Sequence, residues 1–305
     1  MTPSGFVLLD KVAGETSFKA LFPLKRVFCT KRVGHAGTLD LRASGLIVAA
    51  FGRATRLLPY VEAADKCYTF RLHLGYETDT LEWDGDVLFQ DGSAFSVDRA
   101  ALESVLPQFL GDVDQIPPAY CAVKINGRRA SDWMERGKQV EMKPRRIHIA
   151  SLKVIGEGLV TEGCSGKSLA TFDLECNCSK GTYIRALGRD IAHALGTYGC
   201  VSMIRRHRIG HVTLKNAVRG SELKREDMVS VNQVLEFPVV VLNEDQMDAI
   251  RKGNWIPWHS GIDGLRMDVD GEKLLFAADG SGRVLSFCKY EPGRICPKFF
   301  LADDD

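Results

Sequence analysis

Several things are missing from this 305-residue chain. Met1–Asp10 carries no charged start followed by a long apolar run, so no secretory leader is expected. No stretch reaches the roughly 20 apolar residues that a bilayer-spanning helix needs, and a soluble, cytoplasmic protein without membrane contact is expected. The nine cysteines are scattered, with no CxxC pair at zinc spacing. Cytosolic conditions would keep them as free thiols. There is no glycine-rich phosphate loop, no clustered set of metal ligands, no internal repeat and no low-complexity tract. Nothing in the sequence marks a metal site or a phosphate-binding loop.

Charge of one sign is also nearly absent overall, at +1, but the total hides an uneven distribution. Residues 117–150 hold eight Lys/Arg against three Asp/Glu, and residues 201–225 hold seven against one. The remainder of the chain then sits at −10. Two basic segments on an otherwise acidic chain point to an anionic partner met by particular surfaces. Nucleic acid is the commonest such partner.

The hydrophobic pattern mixes short strands with helices and lacks strict βαβ alternation. Gly5–Leu9 reads as a buried strand, and Thr16 or Ser17 can cap a helix toward Arg26 that Pro23 delays or kinks. Lys31–Gly45 reads as a long loop, Leu46–Phe51 as a strand and Arg53–Ala64 as a helix. Lys66–Gly75 alternates, with Tyr68, Phe70, Leu72 and Leu74 on one side. A helix is expected after Ser96, strands near Ile147–Ile155 and Leu169–Cys178, and a helix from Thr182 to Leu195 stopped by Gly196. In the second of those strands Phe172, Leu174, Cys176 and Cys178 share the buried face, which makes the close cysteine pair core rather than ligand. From about residue 240 the chain turns to glycine and short alternating runs. The fold expected is α+β with a mostly antiparallel sheet, flanking helices and a small C-terminal β-domain.

The most informative stretch is Gly34-His-Ala-Gly-Thr-Leu-Asp-Leu-Arg-Ala-Ser-Gly45. Its glycines allow close backbone approach, and a carboxylate on a loop held by a rigid scaffold is a common catalytic arrangement. The same residues would equally serve a plain turn. The wider pattern decides for chemistry. Asp10-Lys11-x-x-Gly14-x-Thr16-Ser17 precedes Gly34-His35-x-Gly37-Thr38-Leu39-Asp40. Then follow Lys66-x-Tyr68, Leu74-Gly75-x-x-Thr78-Asp79-Thr80 and Ile116-Pro117-Pro118-x-Tyr120-x-Ala122-x-Lys124. Ser179-Lys-Gly-Thr-Tyr-Ile-Arg185, Arg189-Asp190 and Ile204-Arg205-Arg206 complete the series. In this order, over residues 5 to about 210, the chain resembles the TruB family of tRNA pseudouridine synthases. It departs from the family at Val12 and Leu41, where Pro is usual, and at Glu82, where Asp is frequent.

The resemblance implies a pseudouridine-synthase core over residues 1–239, with a thumb-like insertion at about 117–150, and a PUA-type RNA-binding domain over 240–305. It implies isomerisation of uridine to pseudouridine at position 55 in the T-loop of tRNA. The N1–C1′ bond is cut, the uracil is turned over and it is rejoined through C5, with no cofactor and no obligate protein partner. Asp40 is then the catalytic carboxylate, by attack on C1′ or by removal of a sugar proton, since positive charge develops at C1′. Tyr68 supplies a ring for the flipped base and a hydroxyl for proton transfer at C5. Arg185 pairs with Asp40 and keeps it ionised. His35 contacts the RNA near the vacated stack, and Lys11 supports the loop or a phosphate. Arg128, Arg129, Arg145 and Arg146 of the insertion, together with Arg205 and Arg206, are candidate RNA contacts. Asp79 and Asp84 are assigned structural roles. A guide-RNA-dependent enzyme of the dyskerin type shares these motifs, but is expected to lack the insertion and to carry a fuller tail. A tRNA-folding chaperone with dispensable catalysis would not need Asp40, Tyr68 and Arg185 intact.

Overall fold

The computed structural model describes residues 4–91, 97–161, 168–259, 261–262, 264–265 and 271–301. The backbone divides into two compact units that interleave along the sequence. One comprises Met1–Asp40, Leu46–Glu62 and His211–Asp305; the other comprises Leu41–Gly45 and Ala63–Gly210.

The second unit is built on an antiparallel sheet in the order Gly199–Ile209, Lys66–Leu74, Ser168–Cys178, Arg145–Thr161 and Gly111–Gln115. Alternation places Phe70, Leu72, Leu74, Phe172, Leu174, Cys176 and Cys178 in the core, as the sequence pattern requires. The helix Ile184–Ala194 buries Ile184, Ala186, Leu187, Ile191 and Ala192, and Gly196 closes its C-terminus by donating to the His193 carbonyl at 3.0 Å. Its N-terminus is fixed by Gln115, whose side chain accepts from the Tyr183 amide at 2.8 Å and donates to the Tyr183 carbonyl at 3.1 Å. The expected helix after Ser96 spans Arg99–Val105, and Asp98 is its cap, accepting from the Ala101 amide; Ser96 lies outside the described residues.

Within the basic segment 117–150, Lys124–Ile125 and Arg128–Arg129 form a hairpin around Asn126-Gly127, both at positive φ. Such a two-residue turn is the one that matches strand twist and that Asn-Gly favours. The short helix Ala130–Met134 follows. Its Trp133 donates to the Ile125 carbonyl at 3.0 Å, and the cations of Arg128 and Lys138 lie over its ring at 5.4 Å each.

In the first unit Gly5–Lys11 lies beside the strand Ser44–Phe51. The supposed loop Lys31–Gly45 contains a further strand, Val33–Ala36, paired antiparallel with that strand; four residues with two small ones give no alternation to read. Arg53–Ala64 begins as a 3₁₀ turn, Gly52–Leu57, before the α-helix Leu58–Ala63. Pro23 sits in the first turn of a helix, Phe22–Val27, that starts late for that reason.

The C-terminal residues form a five-stranded sheet ordered Val239–Val241, Lys273–Ala278, Val284–Glu291, Arg294–Phe300 and Ile256–Pro257. Only its first pair is parallel. This sheet is packed into the first unit: Tyr60 stacks edge-on to Phe237 and Phe287, which meet Phe276 and Phe299, and the Arg56 guanidinium lies 4.1 Å over Phe299. Both units mix helix with mostly antiparallel strand, an α+β fold. Among the described residues no helix is long and apolar enough to cross a membrane.

Candidate active site

Asp40 ends the first unit's first stretch, Met1–Asp40, and three bonds hold the backbone around it. The Ser17 hydroxyl donates to the Leu39 carbonyl and accepts from the Leu39 amide, both at 2.9 Å. The Lys11 ammonium, 1% exposed, donates to the Asp40 carbonyl at 3.2 Å and to Val12 at 3.1 Å. Leu39 itself is buried, whereas Asp40 is only half-buried. The carboxylate is therefore carried on a main chain that cannot drift while its side chain retains access. Of the two roles foreseen for Lys11, the bond to the Asp40 carbonyl is of the loop-supporting kind. Ser17, expected as a helix cap, instead clamps this loop, while Thr16 accepts from the Lys19 amide at 3.2 Å ahead of the helix. His35 is half-buried on Val33–Ala36, opposite Ala49.

The second unit holds Tyr68 and Arg185. Tyr68 is half-buried near the start of its strand, with Arg206 as its cross-strand neighbour. Burial pushes the phenol above its ordinary range, and the Arg206 guanidinium hydrogen-bonded to it opposes the rise. Tyr68 is thus neutral at physiological pH. Arg206 is 1% exposed, which corrects its assignment as an RNA contact: strand alternation turns it inward to Tyr68. Arg205, next in the chain, is half-buried and reaches the Ser44 hydroxyl at 3.3 Å. Gly45 explains how the strands meet here. At φ +102 it lies against Arg206 so closely that a Cβ would stand 2.3 Å from the Arg206 carbonyl oxygen. Its glycine serves an internal backbone contact, where the sequence suggested approach to a ligand.

Arg185, 5% exposed, donates to the Thr80 carbonyl at 2.7 Å and to the Tyr120 carbonyl at 2.9 Å. Its Nε stands 3.9 Å from a carboxylate oxygen of Glu82. One guanidinium thus ties three motif segments, Thr78–Thr80, Glu82 and the stretch after Pro117-Pro118. Glu82, the acid that departs from the family, is the partner the sequence could not supply. Tyr120 has its hydroxyl raised by burial and by the Asp79 carboxylate bonded to it. Asp79 also accepts from the Asp86 amide at 3.0 Å, and Asp84 pairs with Arg42 at 2.6 Å, so both acids hold structure as expected.

The arginines of the basic segment 117–150 differ from Arg205 and Arg206 in exposure. Arg128, Arg129, Arg145 and Arg146 are all exposed. Arg146 keeps a loose pair with Asp114 at 3.5 Å, and Arg128 rests on Trp133.

The fold is that of known pseudouridine synthases. The chain superposes on a protein in the crystal structure of a Cbf5–Nop10–Gar1 complex with TM-score 0.66 and 20% identity, over 98% of this chain and 85% of that one. Closer in sequence is a protein of Borrelia garinii subsp. bavariensis named tRNA pseudouridine synthase B, 32% identical over 94% of this chain and 98% of its own length. A Mycobacterium bovis protein of the same name is 33% identical over 97% of this chain and 99% of its own. The pattern of the TruB family pseudouridylate synthase N-terminal domain matches residues 25–184. The span containing Asp40, Tyr68, Glu82 and the Pro-Pro motif is thus matched as a block, and the chain belongs to the TruB family of pseudouridylate synthases.

Proposed function

We propose that this chain isomerises uridine to pseudouridine in tRNA, at position 55 in the T-loop, with Asp40 as the catalytic carboxylate. The observation that carries the reading is the fastening of the Asp40 main chain by Lys11 and Ser17. Such fixation is what a group needs when it must meet charge developing at one sugar carbon. Near full-length similarity to proteins named tRNA pseudouridine synthase B supplies the substrate class.

In this reading Tyr68 offers its ring to a base taken out of the stack. A phenol held neutral and bonded to Arg206 is a donor and a flat surface, and a poor base; this supports stacking over proton removal at C5. Arg185 fastens the segments that carry Thr80, Glu82 and Tyr120, and we retain its pairing with Asp40 as part of the proposal. Arg128, Arg129, Arg145 and Arg146 position the RNA through its phosphates, His35 meets the loop nucleotides, and residues 240–305 form the PUA-like element of a chain whose catalytic part is 1–239.

The test is to incubate the purified protein with unmodified tRNA transcript and map pseudouridine by position, alongside Asp40→Asn. The Asn variant keeps shape and removes one charge, so it should bind tRNA within a few fold and form no product. Product at another uridine would refute the position; turnover by Asp40→Asn would refute the carboxylate.

A further inference from the structure

Two large aromatic side chains of the first unit lie open on one short stretch. Phe18 is 56% and Phe22 50% exposed, although Leu21, Leu24 and Phe28 of the same stretch are buried. The two outward positions are one helical turn apart, which puts both rings on the same face. The rings meet edge-to-face at 5.7 Å, and the Lys25 ammonium lies over both, at 4.9 Å from Phe18 and 5.2 Å from Phe22. Between residues 15 and 32 the chain carries Lys19, Lys25, Arg26, Lys31 and Arg32 against one acid, Glu15; Lys19, Arg26, Lys31 and Arg32 are exposed.

We propose that Phe18, Phe22 and Lys25 form a stacking platform for unpaired nucleotides of the RNA substrate. Exposed aromatic faces interleaved with cations are the chemistry that recognises single-stranded nucleic acid, because bases stack on the rings while phosphates meet the charges. A protein partner would favour an apolar surface cleared of lysine, and lysine is depleted at the centres of such interfaces. Placement narrows the nucleotides concerned. Phe18 directly follows Ser17, the residue that clamps the Asp40 loop through both backbone atoms of Leu39. The platform is therefore joined by one peptide bond to the anchor of the reactive carboxylate, and its ligand is the unpaired segment that flanks the target uridine. The inference rests on the proposed activity for the identity of that RNA, and on the exposed rings alone for its chemical class.

The test uses the full chain with both rings replaced, Phe18→Leu with Phe22→Leu, which keeps apolar bulk and removes the aromatic faces. Affinity for tRNA and for a labelled oligouridylate should weaken roughly five- to a hundredfold, the range of one stacked base lost. The loss should appear in KM and leave kcat at saturating tRNA close to the parent. Replacing both rings with Trp should keep affinity at or above the parent, and Lys25→Gln should flatten the salt dependence by about one unit of log–log slope. Parent-like affinity in the Leu variant would overturn the proposal. So would a parent chain that self-associates through this face, shown by sedimentation in which only the Leu variant is monomeric. If the parent makes no pseudouridine yet binds oligouridylate in a ring-dependent way, the platform stands and the proposed activity falls.

Discussion

Replacing Arg185 with Lys keeps the charge and tests whether geometry is what the residue supplies. The guanidinium divides its two terminal nitrogens between the Thr80 and Tyr120 carbonyls, at 2.7 and 2.9 Å, and turns Nε toward Glu82. An ammonium is a point on a flexible stem and cannot span carbonyls that lie in different directions. At least one carbonyl loses its partner beside a side chain that is itself only 5% exposed, and leaving such a group unsatisfied costs about 1–3 kcal/mol. Adding the weaker contact with Glu82, the total is on the order of 2–4 kcal/mol, which corresponds to several degrees in Tm for a chain of this size. The same loosening frees Thr80 and Tyr120, so the single-turnover rate should fall further than stability alone explains; a misplacement of about 1 Å can cost roughly a hundredfold. The assay pairs urea unfolding with single-turnover formation of pseudouridine at saturating tRNA, and measures tRNA affinity separately. An unchanged melting curve together with an unchanged rate would refute the reasoning, because the three segments would then not depend on the fork. Collapse of affinity with a preserved rate would make Arg185 a phosphate contact instead.

Reversing the charge of Arg128, Arg129, Arg145 and Arg146 together should weaken tRNA binding and lower its log–log salt slope by about one unit per lost phosphate contact; an unchanged slope would mean that these exposed arginines face only solvent. His73, buried and bonded to the Ser202 hydroxyl at 2.7 Å, has its pKa lowered to about 4, by burial first and by the Arg71 charge second. The unfolded chain takes up this proton below about pH 6.5 and the folded one does not, so stability is lost as pH falls through this window, by about 2 kcal/mol between pH 7 and pH 5. Urea unfolding of the parent and of His73→Gln at both pH values should show a smaller drop in the variant, and equal drops would refute the assignment. Ending the chain at residue 239 strips Tyr60 and Phe237 of Phe276 and Phe287 and leaves Arg56 without Phe299. Since Phe287→Ala alone should cost about 3–5 kcal/mol, the truncated protein should melt far below the parent by circular dichroism, and a parent-like melt would show that the aromatic cluster is not a structural joint.

Much of this protein is set by local pattern. Alternation over Lys66–Gly75 and Leu169–Cys178 fixes which residues turn inward, because a strand side chain can face only one of two ways. Ordered motifs from Asp10 to Arg206 mark the family, and with it Asp40 as the candidate catalytic carboxylate. The charge of the basic segment 117–150 is equally legible, since its Asn-Gly turn and exposed arginines need no distant partner. Pairing across the chain is a different matter. Nothing in Arg205-Arg206 says that one of two adjacent arginines is sealed against Tyr68 while the other stays half-exposed; that follows from strand register, which is set by packing on both faces. Ser17 looks like a cap until Leu39 is folded back onto it, 22 residues away. The C-terminal strands look like a separate module, yet they share an aromatic core with Tyr60 and Phe237. Sequence by itself determined which residues are apolar, aromatic or charged and in what local rhythm. Tertiary structure decided which charges are buried against a partner and which meet solvent, because burial is a property of the surroundings that distant segments supply.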